Sequence, residues 1–104
     1  MQRDELLTRM KAALGEAFAN RLVGVVLYGS EARGQSDPDS DIDLLVLLNG
    51  PVDFGNDLTT CIRVLYPLVL ELERPIHATP VDIAQYDAQE FPLYRNAKRE
   101  GVLL

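Results

Sequence analysis

The chain of 104 residues contains one cysteine, Cys61, so no internal disulfide can form. With apolar neighbours in a segment that reads as helix, this thiol is expected to be buried packing. Basic residues are also scarce. Ten Lys and Arg face sixteen Asp and Glu, a formal net charge of −6. A protein that holds nucleic acid by its phosphates needs a basic face, and this balance argues against one. A nucleotide carried on Mg²⁺ stays compatible, because the ion supplies the positive charge. Long apolar runs are missing too. The longest, residues 44–48, falls far short of the roughly 20 residues that a membrane helix needs. The N-terminus is polar and charged, unlike a secretory leader. A cytoplasmic location without membrane contact is the expectation. Neither an internal repeat nor a low-complexity tail is visible.

What remains is an ordinary globular composition, 47% hydrophobic and 25% charged. The length suits one domain over residues 1–104. Residues 4–19 carry Leu6, Leu7, Met10, Leu14 and Phe18 at helical spacing, an apolar stripe with Asp4 near its start. Residues 22–28 are apolar and β-branched and read as a buried strand. Residues 30–33 fit one helical turn, and residues 34–40 a loop dense in turn formers. The second strand, 41–48, is apolar on both parities beyond Asp43, which predicts cover on both faces. Residues 56–73 predict a long helix, bent or broken just before Pro67. Residues 76–83 predict a third strand, placed at a sheet edge because Pro80 cannot donate to a ladder. Residues 91–100 predict a final helix, with Pro92 in its first turn and Gly101 after its end. The expected architecture is α/β, or α+β: a small mixed sheet with flanking helices, in the order α-β-α-β-α-β-α.

The candidate chemistry lies between the first two strands. Gly29-Ser30 ends the first, and Asp41-Ile42-Asp43 opens the second. Carboxylates one residue apart on a strand share a face. If the two strands run antiparallel as neighbours, the Gly-Ser turn and both acids reach the same sheet end. Gly29 allows close backbone approach to an anion, and the Ser30 hydroxyl with nearby N–H groups would hold phosphate. Asp41 and Asp43 would ligate one or two Mg²⁺ ions. The Arg33 guanidinium suits phosphate. Ser40, next to the pair, joins the nucleotide-binding candidates. Asp37 and Asp39 read as a solvated turn. Asp43 does not, because a carboxylate leading into a buried strand is expensive unless a cation or donors meet it.

Gly29-Ser30, ten intervening residues, then Asp41-Ile42-Asp43, with Arg33-Gly34 inside the interval, resembles the signature of the DNA polymerase β-like nucleotidyltransferase superfamily. More narrowly, it resembles the minimal nucleotidyltransferase domains of bacteria and archaea. Arg99-Glu100-Gly101-Val102-Leu103-Leu104 is similar to the usual ending of such domains. The resemblance implies that Gly29 and Ser30 bind the phosphates of ATP or another NTP, and that Asp41 and Asp43 bind metal. It also implies a third carboxylate on the next strand, acting as general base. Asp82 is the candidate, on the face shared by Ile76, Ala78 and Pro80. Its place after Pro80, near the strand's end, leaves open whether it completes the set. His77 reads as a structural or surface residue, although its pKa near neutrality would suit a base. Lys98 and Arg99 read as cations at a helix C-terminus.

The activity so implied is Mg²⁺-dependent transfer of a nucleoside monophosphate, AMP for preference, from an NTP to a hydroxyl on a partner protein. Small stand-alone members of the family pair with HEPN-domain proteins as the antitoxin half of a toxin–antitoxin module. A partner of that kind, or a second copy of the chain, would complete the cleft. The alternative is a non-catalytic module that binds nucleotide or neutralises a HEPN-type protein by contact.

Overall fold

The computed structural model describes residues 1–34 and 40–104. The turn reading of Asp37 and Asp39 therefore lies outside the described residues. Helix α1 spans Arg3–Phe18 and is followed by a short 3₁₀ turn, Ala19–Arg21, and strand β1, Leu22–Tyr28. One helical turn, α2 (Gly29–Ala32), precedes β2 (Ile42–Leu48). Helix α3 (Phe54–Leu72), strand β3 (Ile76–Asp82), helices α4 (Ile83–Asp87) and α5 (Pro92–Glu100), and strand β4 (Val102–Leu103) complete the order.

Among the described residues, four strands form one mixed sheet in the order β3-β2-β1-β4. β1 runs antiparallel to β2 and β4, and β2 runs parallel to β3. The central position of β2 follows from its sequence. Ile42, Leu44, Val46 and Leu48 face α1 and α3, where they pack with Leu6, Met10, Leu14, Cys61, Leu65 and Leu68. Leu45 and Leu47 face the other way, against Val81, Tyr86 and Ala97. A strand apolar on both parities needs helices on both faces, and both are present. Each fully buried aliphatic contributes about 1.5–3 kcal/mol, so β2 anchors the sheet. The parity of Asp41 and Asp43 puts them on the side of Leu45 and Leu47, the face covered by α4 and α5.

Several boundaries differ from the sequence expectation. α3 begins at Phe54 rather than 56, because Asp53 caps it by accepting from Asn56 N–H at 3.4 Å. The helix is not broken at Pro67. Pro67 and Arg63, one turn earlier, are both exposed, so water can satisfy the carbonyl that loses its partner. The third strand stops at Asp82, one residue early, since Asp82 caps the unanticipated helix α4, which takes Ile83. β4 was also not expected; two residues carry no readable alternation. β3 does lie at the sheet edge, where alternate N–H groups have no strand neighbour and Pro80 is tolerated.

Candidate functional site

The antiparallel register sets Tyr28 opposite Asp43, so the turn after β1 lies against the opening of β2. Gly29 has φ +76°, the left-handed region that favours glycine. A Cβ on it would also stand 2.7 Å from Asp43 Oδ2, closer than real Cβ contacts come. The backbone turn therefore favours glycine here, and any side chain would in addition displace the Asp43 carboxylate packed against it. Ser30 follows as the second residue of α2, half-buried. Gly29, Ser30, Asp41 and Asp43 thus sit at one end of the sheet.

Asp41 is exposed and Asp43 half-buried. Burial pushes the Asp43 carboxyl above its ordinary value; His77 pulls it down, and Asp41 pushes it up again. Tyr28, opposite it, has its phenol raised by burial and by the Asp43 charge, while a hydrogen bond with Thr79 opposes the rise. Asp43 is therefore a carboxylate whose charged form gains from any cation brought to it. Its neighbour across the parallel pair is His77. The imidazole reaches Asp41, with Nε2 donating to Oδ2 at 2.9 Å.

Asp82 is elsewhere. It pairs in register with Leu48, five residues along β3 from His77 and roughly 16 Å away at about 3.3 Å per residue. There it caps α4, accepting from Ala84 N–H at 2.8 Å, and packs against Gly50. The fold does not bring Asp82 to the aspartate pair, and the β3 residue beside that pair is His77. Arg33 lies at the end of α2, with its guanidinium 4.0 Å from Glu100 of α5. With Tyr28, Gly29 and residues of α5, it lines a hollow of about 190 Å³ next to the Gly-Ser turn. A larger hollow, about 700 Å³, lies between α1 and the C-terminal strand, away from these groups.

Two residues that sequence reasoning missed hold the site together. Glu31, in α2, is buried, and Arg74 Nη2 lies 2.9 Å from its Oε2. The same arginine donates through Nε to the Ser40 carbonyl at 2.9 Å, and Nη2 lies 3.4 Å from the Ser40 hydroxyl. Pro75, the next residue, accepts from Ile42 N–H at 2.9 Å. Arg74 thereby ties the turn after β1 to the residue before Asp41. Ser40 is positioned by this clamp. A lone Arg between a helix and a strand gives no sequence signal for such a role.

Among the described residues, no three His, Cys, Asp or Glu side chains already converge as a metal cage. The donor set nonetheless fits Mg²⁺, which takes one or two protein carboxylates and completes its octahedron with water and phosphate oxygens. The strand spacing of Asp41 and Asp43, and the desolvated state of the latter, are the observations that fit.

A family profile described as "Nucleotidyltransferase domain" matches residues 7–104. A curated relative from Methanocaldococcus jannaschii, named "Putative protein adenylyltransferase", is 32% identical over 65 residues. That stretch covers 62% of this chain and 63% of the relative, so the chain spans less than two thirds of it. A solved structure described as a "putative minimal nucleotidyltransferase" superposes with TM-score 0.62 at 27% identity, covering 100% of this chain and 97% of that one. A second, of a "toxin-antitoxin with AMP-PNP", gives TM-score 0.66 at 17% identity, covering 98% and 72%. At that identity the likeness is one of fold.

Proposed function

The chain belongs to the nucleotidyltransferase domain family, in the polymerase β-like minimal group, and from that premise we propose that it is a Mg²⁺-dependent adenylyltransferase that moves AMP from ATP to a hydroxyl of a partner protein. The observation that carries this reading is the packing of Gly29 against Asp43, which sets a bare backbone turn beside paired acids. Gly29 and Ser30 would receive the phosphates through backbone N–H groups and the hydroxyl. Arg33, just past α2 and facing Glu100 of α5, flanks them. Asp41 and Asp43 would hold the ion, with Arg74 fixing Ser40 behind them. The ion would supply charge neutralisation at the triphosphate. In the transfer, the acceptor oxygen bonds the α-phosphorus as the bond to pyrophosphate breaks. The hydroxyl proton leaves to solvent beside Asp41, which is exposed.

The described residues offer a short cleft, and the small hollow beside Gly29 leaves an acceptor to come from outside. The fold likeness to a chain described with a toxin–antitoxin and AMP-PNP supports a protein partner, with a HEPN-type protein as the first candidate. Cytoplasmic location and a single domain over residues 1–104 go with this reading. No helix among the described residues is long and apolar enough to cross a membrane.

A second reading has its own observation. With Asp82 at the far end of β3, no acid of that strand stands beside the pair among the described residues, which favours a module that binds nucleotide or neutralises a HEPN-type partner without chemistry. One experiment separates the two. The protein is incubated with Mg²⁺, ATP labelled in the α-phosphate and a HEPN-domain protein from the same genome. Label on the partner that disappears in Asp41→Asn/Asp43→Asn is the expected result. Partner binding that persists in this double variant, with no label transferred by the wild type, overturns the transferase in favour of the binding module.

A further inference from the structure

His77 shares a face with Asp41 and Asp43 at the open end of the β2–β3 pair, and the proposed activity gives its imidazole no task. We propose that His77 is a nitrogen ligand of the divalent cation held by the two aspartates, so that the site prefers a first-row transition-metal ion to Mg²⁺. This rests on the reading of Asp41 and Asp43 as cation ligands.

The separation of the donors carries the inference. His77 Nε2 lies 2.9 Å from Asp41 Oδ2. Two donors on adjacent corners of an octahedral ion, each about 2.1 Å from it, stand about 3.0 Å apart. On ion binding the proton that Nε2 donates to Oδ2 would pass to solvent, with the ring taking its Nδ1–H tautomer, and the freed Nε2 lone pair and Oδ2 could then bind one ion at this spacing. Both side chains are reachable from solvent, with 60% of the His77 side chain and 51% of the Asp41 side chain exposed, so an ion with its waters can enter. His77 is the cross-strand partner of Asp43; three such side chains do not converge among the described residues as they stand, so ion binding would have to draw the second carboxylate to the same ion. Phosphate oxygens and water fill the remaining corners. Mg²⁺ selects oxygen donors and sheds water reluctantly. Imidazole shifts preference toward later first-row ions. A histidine among carboxylates therefore changes which ion is held, even where Mg²⁺ also binds.

The test uses the complete chain with Mn²⁺ and a non-hydrolysable ATP analogue. His77 is the chain's single histidine, so histidine labelled with ¹⁵N marks it alone. Pulsed electron paramagnetic resonance of bound Mn²⁺ is expected to show coupling to an imidazole nitrogen, and this coupling changes from ¹⁴N to ¹⁵N on labelling. It should be absent in His77→Gln, which can still donate to Asp41. In competition calorimetry, the preference for Co²⁺ over Mg²⁺ should be about tenfold greater in the wild type than in His77→Asp. Bound Mn²⁺ without histidine nitrogen coupling in the wild type overturns the assignment; so does an equal preference in the two proteins. Mn²⁺ binding undiminished in Asp41→Asn/Asp43→Asn overturns both this assignment and the aspartate reading beneath it. Nitrogen coupling with no label transferred to an acceptor upholds the ligand and removes only the catalytic reading.

Discussion

Burial raises the Asp43 carboxyl above its ordinary value of 3.8, with the neighbouring Asp41 adding to the rise and His77 opposing it. The sign for folding follows from linkage. A carboxyl whose folded-state pKa exceeds its unfolded one binds protons more tightly when folded. Its favourable contribution is complete below the unfolded value and lost as pH rises through the folded one. At neutral pH the charged Asp43 therefore works against the unliganded fold. Asp43→Asn should stabilise the metal-free protein by up to about 1 kcal/mol at pH 7, a modest figure because the side chain is partly solvated. The gain over wild type should vanish below about pH 4. Nucleotide transfer should be lost in the same variant. Paired denaturant titrations at pH 7 and pH 4 measure the first two outcomes. Wild type and variant of equal stability at both pH values would show that Asp43 is not held in a strained charge state.

Arg74 joins three elements: it follows α3, pairs with Glu31 of α2 and anchors Ser40 ahead of β2. Arg74→Met keeps most of the aliphatic stem and removes the 2.9 Å ion pair to a buried carboxylate, a change worth about 3 kcal/mol. It also releases the Ser40 carbonyl. Stability should fall, and affinity for the Mg²⁺–nucleotide should fall further than in Leu65→Ala, a core change of similar thermodynamic size that lies away from the site. Urea titration and calorimetry together separate the two effects; equal affinity losses in both variants would reduce Arg74 to a stability residue. Elements such as α1, β1 and β2 were legible because periodicity reports burial directly. The Leu6–Met10–Leu14–Phe18 stripe and the double-sided run after Asp43 became the two core faces. The Gly29-Ser30 and Asp41/Asp43 convergence was also legible, because one antiparallel pairing suffices to create it. The β3 residue beside the pair was not. Parity assigns a residue to a face, but only the parallel register of β3 on β2 says which end it occupies; that register sets His77 beside Asp43 and Asp82, which the sequence left open, at the other end. Long-range partners such as Arg74 and Glu31, 43 residues apart, have no local pattern to read.

At the scale of the molecule, the charge balance sets how a triphosphate can approach. The chain carries −6, and two of its carboxylates, Asp41 and Asp43, share one face at the candidate site. ATP alone brings further negative charge, so the free nucleotide meets repulsion that Coulomb energy in a partly buried site does not screen well. With a divalent cation the interaction reverses sign at short range. Ligand that binds only the folded state stabilises it by mass action, about 2.7 kcal/mol at 100 times Kd. For a chain of this size, that corresponds to a rise in Tm of about 12 °C. Thermal unfolding should therefore shift upward by this amount with Mg²⁺ and a non-hydrolysable ATP analogue at saturation. It should move little with the analogue and EDTA, and little with both ligands in Asp41→Asn/Asp43→Asn. The double variant removes two negative charges, so a purely electrostatic attraction to nucleotide would be strengthened in it, whereas a cation-bridged one disappears. An analogue that stabilises the wild type equally in EDTA, or stabilises the double variant more than the wild type, would place the nucleotide's grip on protein groups other than the paired aspartates.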